Sequence, residues 1–115
     1  MRDPALLDWI RRVDGSTELT LSVCTGSLVL GRAGLLDGLA ATTHWSAYDE
    51  LREAAPNTEQ RPGERWVDNG RVITSAGVSA GIDMSLYVVG RLLGPQEADR
   101  TARGMEYEHW HGMPV

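Results

Sequence analysis

The chain has 115 residues and a formal net charge of −5, and 42% of its residues are hydrophobic. A chain of this length forms one domain at most, with a modest core. All of its basic residues are arginines, and they form no basic run. Nucleic-acid and anionic-membrane binding begin with basic side chains that neutralise phosphates, so the composition disfavours both partners.

The N-terminal stretch, MRDPALLDWIRR, has arginines on both sides of a short apolar segment and no small-residue cleavage site. It therefore differs from a secretory signal peptide. No apolar run approaches the roughly 20 residues that a membrane-spanning helix needs. Cys24 is the single cysteine, which excludes an intramolecular disulfide. We expect a soluble, cytoplasmic protein.

The periodicity of apolar residues predicts helices and strands along the chain. The Asp3-Pro4 pair is typical of a helix N-terminus, and Asn69-Gly70 between two β-prone runs is a strong hairpin signal. The predicted elements, in chain order, are a helix over 4–13, a strand over 18–23, a short helix that follows Cys24 and ends near Gly34, a loop with one short strand over 35–43, a helix over 44–54, a surface loop over 56–62, a hairpin of strands 65–67 and 71–74, a buried helix over 81–93 and a polar helix over 96–107.

Strands that alternate with helices predict an α/β layer fold with a mostly parallel sheet. Only one strong parallel strand and one hairpin are visible, whereas such sheets usually have about five or six strands. The chain therefore has the pattern of a part of a larger domain.

Cys24 lies where a predicted strand ends and a predicted helix begins, and Gly26 follows two residues later. A turn of this kind can expose a nucleophile. The N–H groups and the dipole of the helix N-terminus favour a thiolate and can bind a developing oxyanion. The alternative is a small buried cysteine, which is common for free thiols.

Three segments together resemble the ThiJ/PfpI family, part of the class I glutamine amidotransferase-like superfamily. They are SVCTGSLVLGRAGLLDGLAATTHW, GRVITSAGVSAGIDMSLYVVGRLLG and EYEHWHGMP. The first resembles the family's nucleophile segment, the second a strand that leads into a long buried helix, and the third the family's usual ending. Thr25 and the TTHW ending are most similar to isonitrile hydratases and related regulator domains. The three segments cover most of residues 18–110.

The resemblance implies a flavodoxin-like three-layer sandwich, usually dimeric, with the cysteine at its nucleophile elbow. In family members, a carboxylate from the loop after the first strand hydrogen-bonds the thiol and transfers protons. Only 23 residues precede Cys24, and they match the helix and strand just before the elbow. We therefore expect residues 1–115 to form a single partial domain that lacks its N-terminal strands and this carboxylate.

By resemblance, Cys24 is the catalytic nucleophile and the backbone N–H of Thr25 helps to bind the oxyanion. Gly26, His44 and Gly77 are expected to contact the substrate. His44 matches a histidine near the cysteine in several members; the alternative is a histidine at a helix start that bonds to its local backbone. For Gly77, as for the later Gly81, close packing beside the pocket and simple loop flexibility remain open. Peptidase-like members have histidine directly after the cysteine, so peptidase activity is not expected here.

Other conspicuous residues are expected to have structural roles. Asp83 is expected to stabilise the dipole of the helix over 81–93. Trp9, Trp45 and Trp66 are expected to pack against apolar neighbours, because indole rings bring large buried areas. The acidic residues and histidines near the C-terminus do not share one helical face, so neither a metal site nor a cofactor is expected.

The resulting hypothesis is an isonitrile-hydratase-like enzyme that adds water to an isonitrile to give an N-substituted formamide, with turnover impaired by the missing carboxylate. One alternative is a non-catalytic ligand-sensing or dimerisation module related to AraC-type transcription regulators. Another is aldehyde detoxification of the glyoxalase or deglycase kind through the same thiol. The expected partners are a small molecule and a second copy of the chain, without direct nucleic-acid contact or a membrane. An open sheet edge and an uncovered apolar face predict association or marginal stability.

Overall fold

The computed structural model of the chain describes residues 3–114, and within them helices and strands follow one another largely as predicted. The helices are α1 (Pro4–Asp14), α2 (Gly26–Arg32), α3 (Tyr48–Ala54), α4 (Val78–Leu93) and α5 (Pro95–Gly104). The strands are β1 (Thr20–Ser22), β2 (Ala40–Ala41), β3 (Glu59–Gln60), β4 (Trp66–Asp68) and β5 (Val72–Ser75).

Strand β5 is the centre of the larger sheet, whose strand order is β1-β5-β4. It pairs in parallel with β1, where Leu21 lies opposite Ile73, and antiparallel with β4, where Val67 lies opposite Thr74. The smaller sheet pairs β2 with β3 in parallel. Two of the three pairings are parallel, which agrees with the predicted α/β fold. Within residues 3–114, the outer edge of β1 has no neighbouring strand.

The hairpin between β4 and β5 forms as predicted, and Asn69 has a second role in it. Gly70 takes a φ of 96°, the left-handed conformation that glycine tolerates. The Asn69 side chain accepts the N–H of Ala40 at 3.1 Å and donates to the Ala40 carbonyl at 2.7 Å. It also donates to the Val72 carbonyl at 3.2 Å. One amide therefore imitates a strand backbone and joins the two sheets.

The α1 N-terminus is confirmed in detail, because Asp3 Oδ1 accepts the N–H groups of Ala5 and Leu6 at 3.1 and 3.2 Å. These two bonds satisfy donors that the first helical turn leaves free.

The core lies in two clusters. One, around Ile73 and Met84, joins β5 to α4; the other joins α2 and α3 and contains the fully buried Leu36 and Leu51.

Two helix starts differ from the prediction. Helix α3 begins at Tyr48 and not at His44, because the N–H of Ala47 donates to the His44 carbonyl in a preceding turn. Helix α4 begins at Val78 and not at residue 81, since Ser79 and Ala80 belong to its first turn. Gly77 therefore precedes the helix, whereas Gly81 lies inside it.

Two other predicted boundaries are also wrong. The final helix runs over Pro95–Gly104 and ends earlier than predicted, because Glu106 takes a left-handed φ of 54°. The predicted surface loop over 56–62 contains the two-residue strand β3, which alternation signals are too short to reveal.

Of the three tryptophans that were expected to pack against apolar neighbours, one does so and two are largely exposed. Trp66 packs on Tyr87 with ring centroids 5.2 Å apart, but Trp9 is 52% exposed and Trp45 is 81% exposed. Helix α4 is buried along its middle, whereas Val78 and Leu93 at its two ends are exposed.

Candidate active site

Cys24 occupies the turn between β1 and α2 in a conformation that few side chains adopt. Its φ is 58°, in the left-handed region, which costs a non-glycine residue about 1–2 kcal/mol. Four hydrogen bonds hold the residue there. Its N–H donates to the carbonyls of Ala76 at 2.8 Å and Ser75 at 3.1 Å, and its carbonyl accepts the hydroxyls of Thr43 at 3.0 Å and Ser27 at 3.3 Å.

These bonds identify positioning residues that the sequence did not reveal. Thr43 is fully buried, and its hydroxyl reaches Cys24 from the end of the segment after β2. Ser75 and Ala76 act through backbone carbonyls, so their side chains carry no signal. Cys24, taken as a whole residue, is partly exposed. The sharp turn and the left-handed backbone give Cys24 the geometry expected of an elbow between a strand and a helix.

The first turn of α2 offers two backbone donors beside the elbow. The N–H of Gly26 is already taken, because it donates to the Val23 carbonyl at 2.9 Å. Among residues 3–114, the N–H groups of Thr25 and Ser27 have no hydrogen-bond acceptor. Thr25 is exposed at the helix N-cap, so its N–H is the better placed of the two to meet a bound molecule.

His44 contacts its own local backbone through one ring nitrogen. Its Nδ1 accepts the N–H of Ser46 at 3.3 Å and lies 2.7 Å from the Ser46 hydroxyl. Because Nδ1 accepts a backbone N–H, the proton of the neutral ring is assigned to Nε2. The opposite ring edge faces Gly77, where a Cβ atom would lie 3.7 Å from His44 Cδ2. The structure therefore brings two of the predicted contact residues together.

Glycine at position 81 allows α4 to approach the elbow closely. A Cβ atom there would lie 2.7 Å from Cγ1 of Val23, the residue that precedes Cys24. This distance is below any normal contact, so close packing, and not flexibility, explains Gly81.

A cavity of about 490 Å³ adjoins the elbow. Thr43 and Ala76, which both bond to the Cys24 backbone, are among its lining residues, together with Gly77 and Ala80. The ring of Trp45 stands at its rim. The volume lies within the range of small-molecule sites.

An ion pair joins Asp83, in the first half of α4, to Arg65, the residue directly before β4. Oδ2 of Asp83 lies 2.6 Å from Arg65 Nη2 and 2.8 Å from Nε, and the carboxylate side chain is 9% exposed. Asp83 therefore has a buried charge partner, which the expected role at the helix dipole did not include. Burial and the nearby Asp83 carboxylate raise the pKa of Tyr107 above its usual value. This cluster ties the C-terminal segment to α4 and not to the thiol.

Neither a metal site nor a membrane-spanning helix is found in the described part of the chain. Within residues 3–114, no three histidine, cysteine or acidic side chains are grouped to hold a metal ion. Over the same residues, no helix combines the length and the apolar character that crossing a bilayer requires.

Comparison with known proteins connects this elbow to one family. The family model described as the DJ-1/PfpI family matches residues 1–91. The chain belongs to the DJ-1/PfpI family. The match contains the whole elbow, His44, Gly77 and most of α4, and it supports the flavodoxin-like α/β fold expected from the resemblance.

Two curated relatives and one solved structure show how far the similarity extends. The chain is 42% identical over 108 residues to an isonitrile hydratase of Pseudomonas putida, covering 93% of the chain and 46% of that protein. It is also 42% identical over 95 residues to the HTH-type transcriptional regulator CdhR of Pseudomonas aeruginosa, covering 83% of the chain and 28% of the regulator.

A crystal structure of a ThiJ/PfpI family protein from Pseudomonas syringae matches with a TM-score of 0.83 and 36% identity. The match covers 92% of this chain and 43% of that one. The chain therefore spans less than half the length of these DJ-1/PfpI relatives.

Proposed function

We propose that this DJ-1/PfpI domain provides the nucleophilic cysteine of an isonitrile-hydrating site. The observation that carries the proposal is the conformation of Cys24, a partly exposed residue that is held at a left-handed φ. The N–H of Thr25, the next residue in the chain, has no acceptor among the described residues. The similarity to an isonitrile hydratase supplies the substrate class.

The reaction would proceed in two steps through Cys24. The thiolate attacks the terminal carbon of the isonitrile, and that carbon takes up a proton, which gives a thioimidate. Water then adds to the thioimidate carbon, the carbon–sulfur bond breaks, and the N-substituted formamide leaves while the thiol is regenerated. The N–H of Thr25 is the donor available to orient the adduct. Gly26 and Gly77 contribute small surfaces that let a substrate approach the backbone.

The proposed reaction needs a proton donor near the Cys24 sulfur. Among residues 3–114, no carboxylate hydrogen-bonds the Cys24 sulfur. General acid catalysis typically contributes about 10²–10⁴-fold to a rate. We therefore expect slow turnover from these residues alone, and faster turnover when a second polypeptide supplies an aspartate or glutamate at the thiol.

The proposal is tested by following formamide production by NMR. The intact chain, Cys24→Ser and a full-length isonitrile hydratase are compared with the same isonitrile. Slow formation that Cys24→Ser abolishes is expected. Formation at the rate of the full-length enzyme would refute impaired turnover, and formation that survives Cys24→Ser would refute the nucleophile.

A second candidate function is ligand sensing without catalysis. It is favoured by the similarity to CdhR, a transcriptional regulator of which the chain covers 28%. In this case a small molecule binds at the elbow, and Cys24→Ser leaves binding intact. Consumption of methylglyoxal without isonitrile hydration would instead favour the aldehyde-detoxifying alternative. A homodimer remains a prediction for either function, and sedimentation of the purified chain tests it.

A further inference from the structure

We propose that the cavity beside Cys24 selects isonitriles with a flat aromatic substituent, and that Trp45 determines this specificity. The inference rests on the proposed function, because it names the substrate class of that same site. It starts from the Trp45 indole, which is 81% exposed although Thr43 and Ala47, two positions away on either side, are buried. A ligand that covers a large exposed apolar ring removes apolar surface from water, and this burial is favourable.

Two residues that hold the Cys24 backbone also line the cavity, although Cys24 itself is not one of the lining residues. Thr43 donates its hydroxyl to the Cys24 carbonyl, and Ala76 accepts the Cys24 N–H, and both residues line the cavity. In the proposed complex, the terminal carbon of the substrate lies at the Cys24 sulfur and its nitrogen substituent occupies this space.

The shape and chemistry of the lining favour a flat, uncharged ring. Ala76, Gly77 and Ala80 have side chains no larger than a methyl group, so they leave a low apolar surface on one side. The rings of Trp45 and Tyr48 stand along the cavity as aromatic walls. Aromatic rings that pack on one another gain stability beyond the area they bury.

Two contacts fix these walls in place. The Trp45 indole packs on the His44 imidazole, with ring centroids 5.4 Å apart and an interplanar angle of 35°. The Tyr48 hydroxyl is held by the Thr42 hydroxyl at 3.0 Å. Preorganised walls reduce the entropy that is lost when a ligand orders its site. Glu64 and Arg65 at the same cavity carry opposite charges, so the lining has no net preference for an ionic substituent.

The test measures how well two formamides protect Cys24 from iodoacetamide, a readout that needs no turnover. N-phenylformamide should protect at a lower concentration than N-methylformamide. Trp45→Ala should raise the half-protecting concentration of N-phenylformamide about tenfold, which is the loss of one aromatic contact with its buried area. The same substitution should leave N-methylformamide unchanged.

Trp9→Ala is the matched control, because Trp9 is also an exposed indole but lies on α1 and does not line the cavity. It should leave protection by both formamides unchanged. Circular dichroism of Trp45→Ala should match that of the parent chain, since the ring is mostly exposed. Equal protection by the two formamides, or equal effects of the two tryptophan substitutions, would overturn the inference.

The protection assay and the formamide assay can fail separately. If N-phenylformamide protects in a Trp45-dependent way but no isonitrile is hydrated, the aromatic subsite stands and the reaction is wrong. If isonitriles are hydrated through Cys24 but phenyl and methyl substrates behave alike, the reaction stands and the subsite is wrong.

Discussion

The left-handed backbone at Cys24 predicts that glycine is more stabilising than alanine at this position. Both substitutions remove the thiol, so their difference isolates the backbone. The φ of 58° costs a residue with a Cβ atom about 1–2 kcal/mol. Glycine avoids this cost but loses about 0.5–1 kcal/mol more entropy on folding than alanine does. The net difference is about 0.5–1 kcal/mol in favour of Cys24→Gly.

Thermal unfolding followed by circular dichroism measures the difference. For a domain of this size, about 0.5–1 kcal/mol corresponds to a Tm about 2–4 °C higher for Cys24→Gly than for Cys24→Ala. Ser85 provides a matched control, because it is exposed in the middle of α4. There the order should reverse, with Ser85→Ala more stable than Ser85→Gly by about 1 kcal/mol. Alanine more stable than glycine at position 24 as well would refute the strained elbow.

Two further predictions concern ion pairs. Arg65→Ala should lower the free energy of unfolding by about 2–3 kcal/mol, because it leaves the mostly buried Asp83 carboxylate unpaired. Arg52→Ala is the control, because it breaks an exposed ion pair on α3. In the same urea titration, Arg52→Ala should change the free energy of unfolding by less than about 0.5 kcal/mol. Equal losses would contradict the burial argument. The Arg71 hydrogen bond holds the pKa of the Asp14 carboxyl below its usual 3.8. The stability that this bond contributes is therefore present above pH 3.8 and is lost as the pH falls through the lowered pKa. Asp14→Asn should consequently lose less stability than the parent chain between about pH 5 and about pH 3. Equal losses of stability in the two proteins would contradict this linkage.

Local chemistry explains which parts of the fold the sequence predicts. The Asp3 cap, the Asn69-Gly70 hairpin and the strand before Cys24 all depend on residues close together in the chain. The strand β3 is different, because two residues carry no periodic pattern and pair only when β2 lies beside them. The role of Asn69 between the two sheets is equally non-local, since its bonds to Ala40 span 29 positions.

The candidate site also has features that the sequence predicts and features that it does not. Cys24 and its position between strand and helix are visible in the sequence, and the resemblance adds His44 and Gly77. The supports of the elbow are not visible, because Ser75 and Ala76 act through their carbonyls. The exposure of Trp45 is also not predictable from the sequence, because a large hydrophobic side chain is usually assigned to the core. Exposure is set by tertiary packing, which local sequence patterns do not report.

The most direct test of a nucleophilic Cys24 is its rate of alkylation by iodoacetamide in the folded and the urea-unfolded chain. Cys24 is the single cysteine, so every modified thiol reports on this site. N-acetylcysteine measured in both buffers corrects for the effect of urea. A nucleophile activated by the elbow predicts faster alkylation in the folded chain, because any activation that the fold provides is lost when the chain unfolds. An equal or slower rate in the folded chain would contradict an activated nucleophile at Cys24.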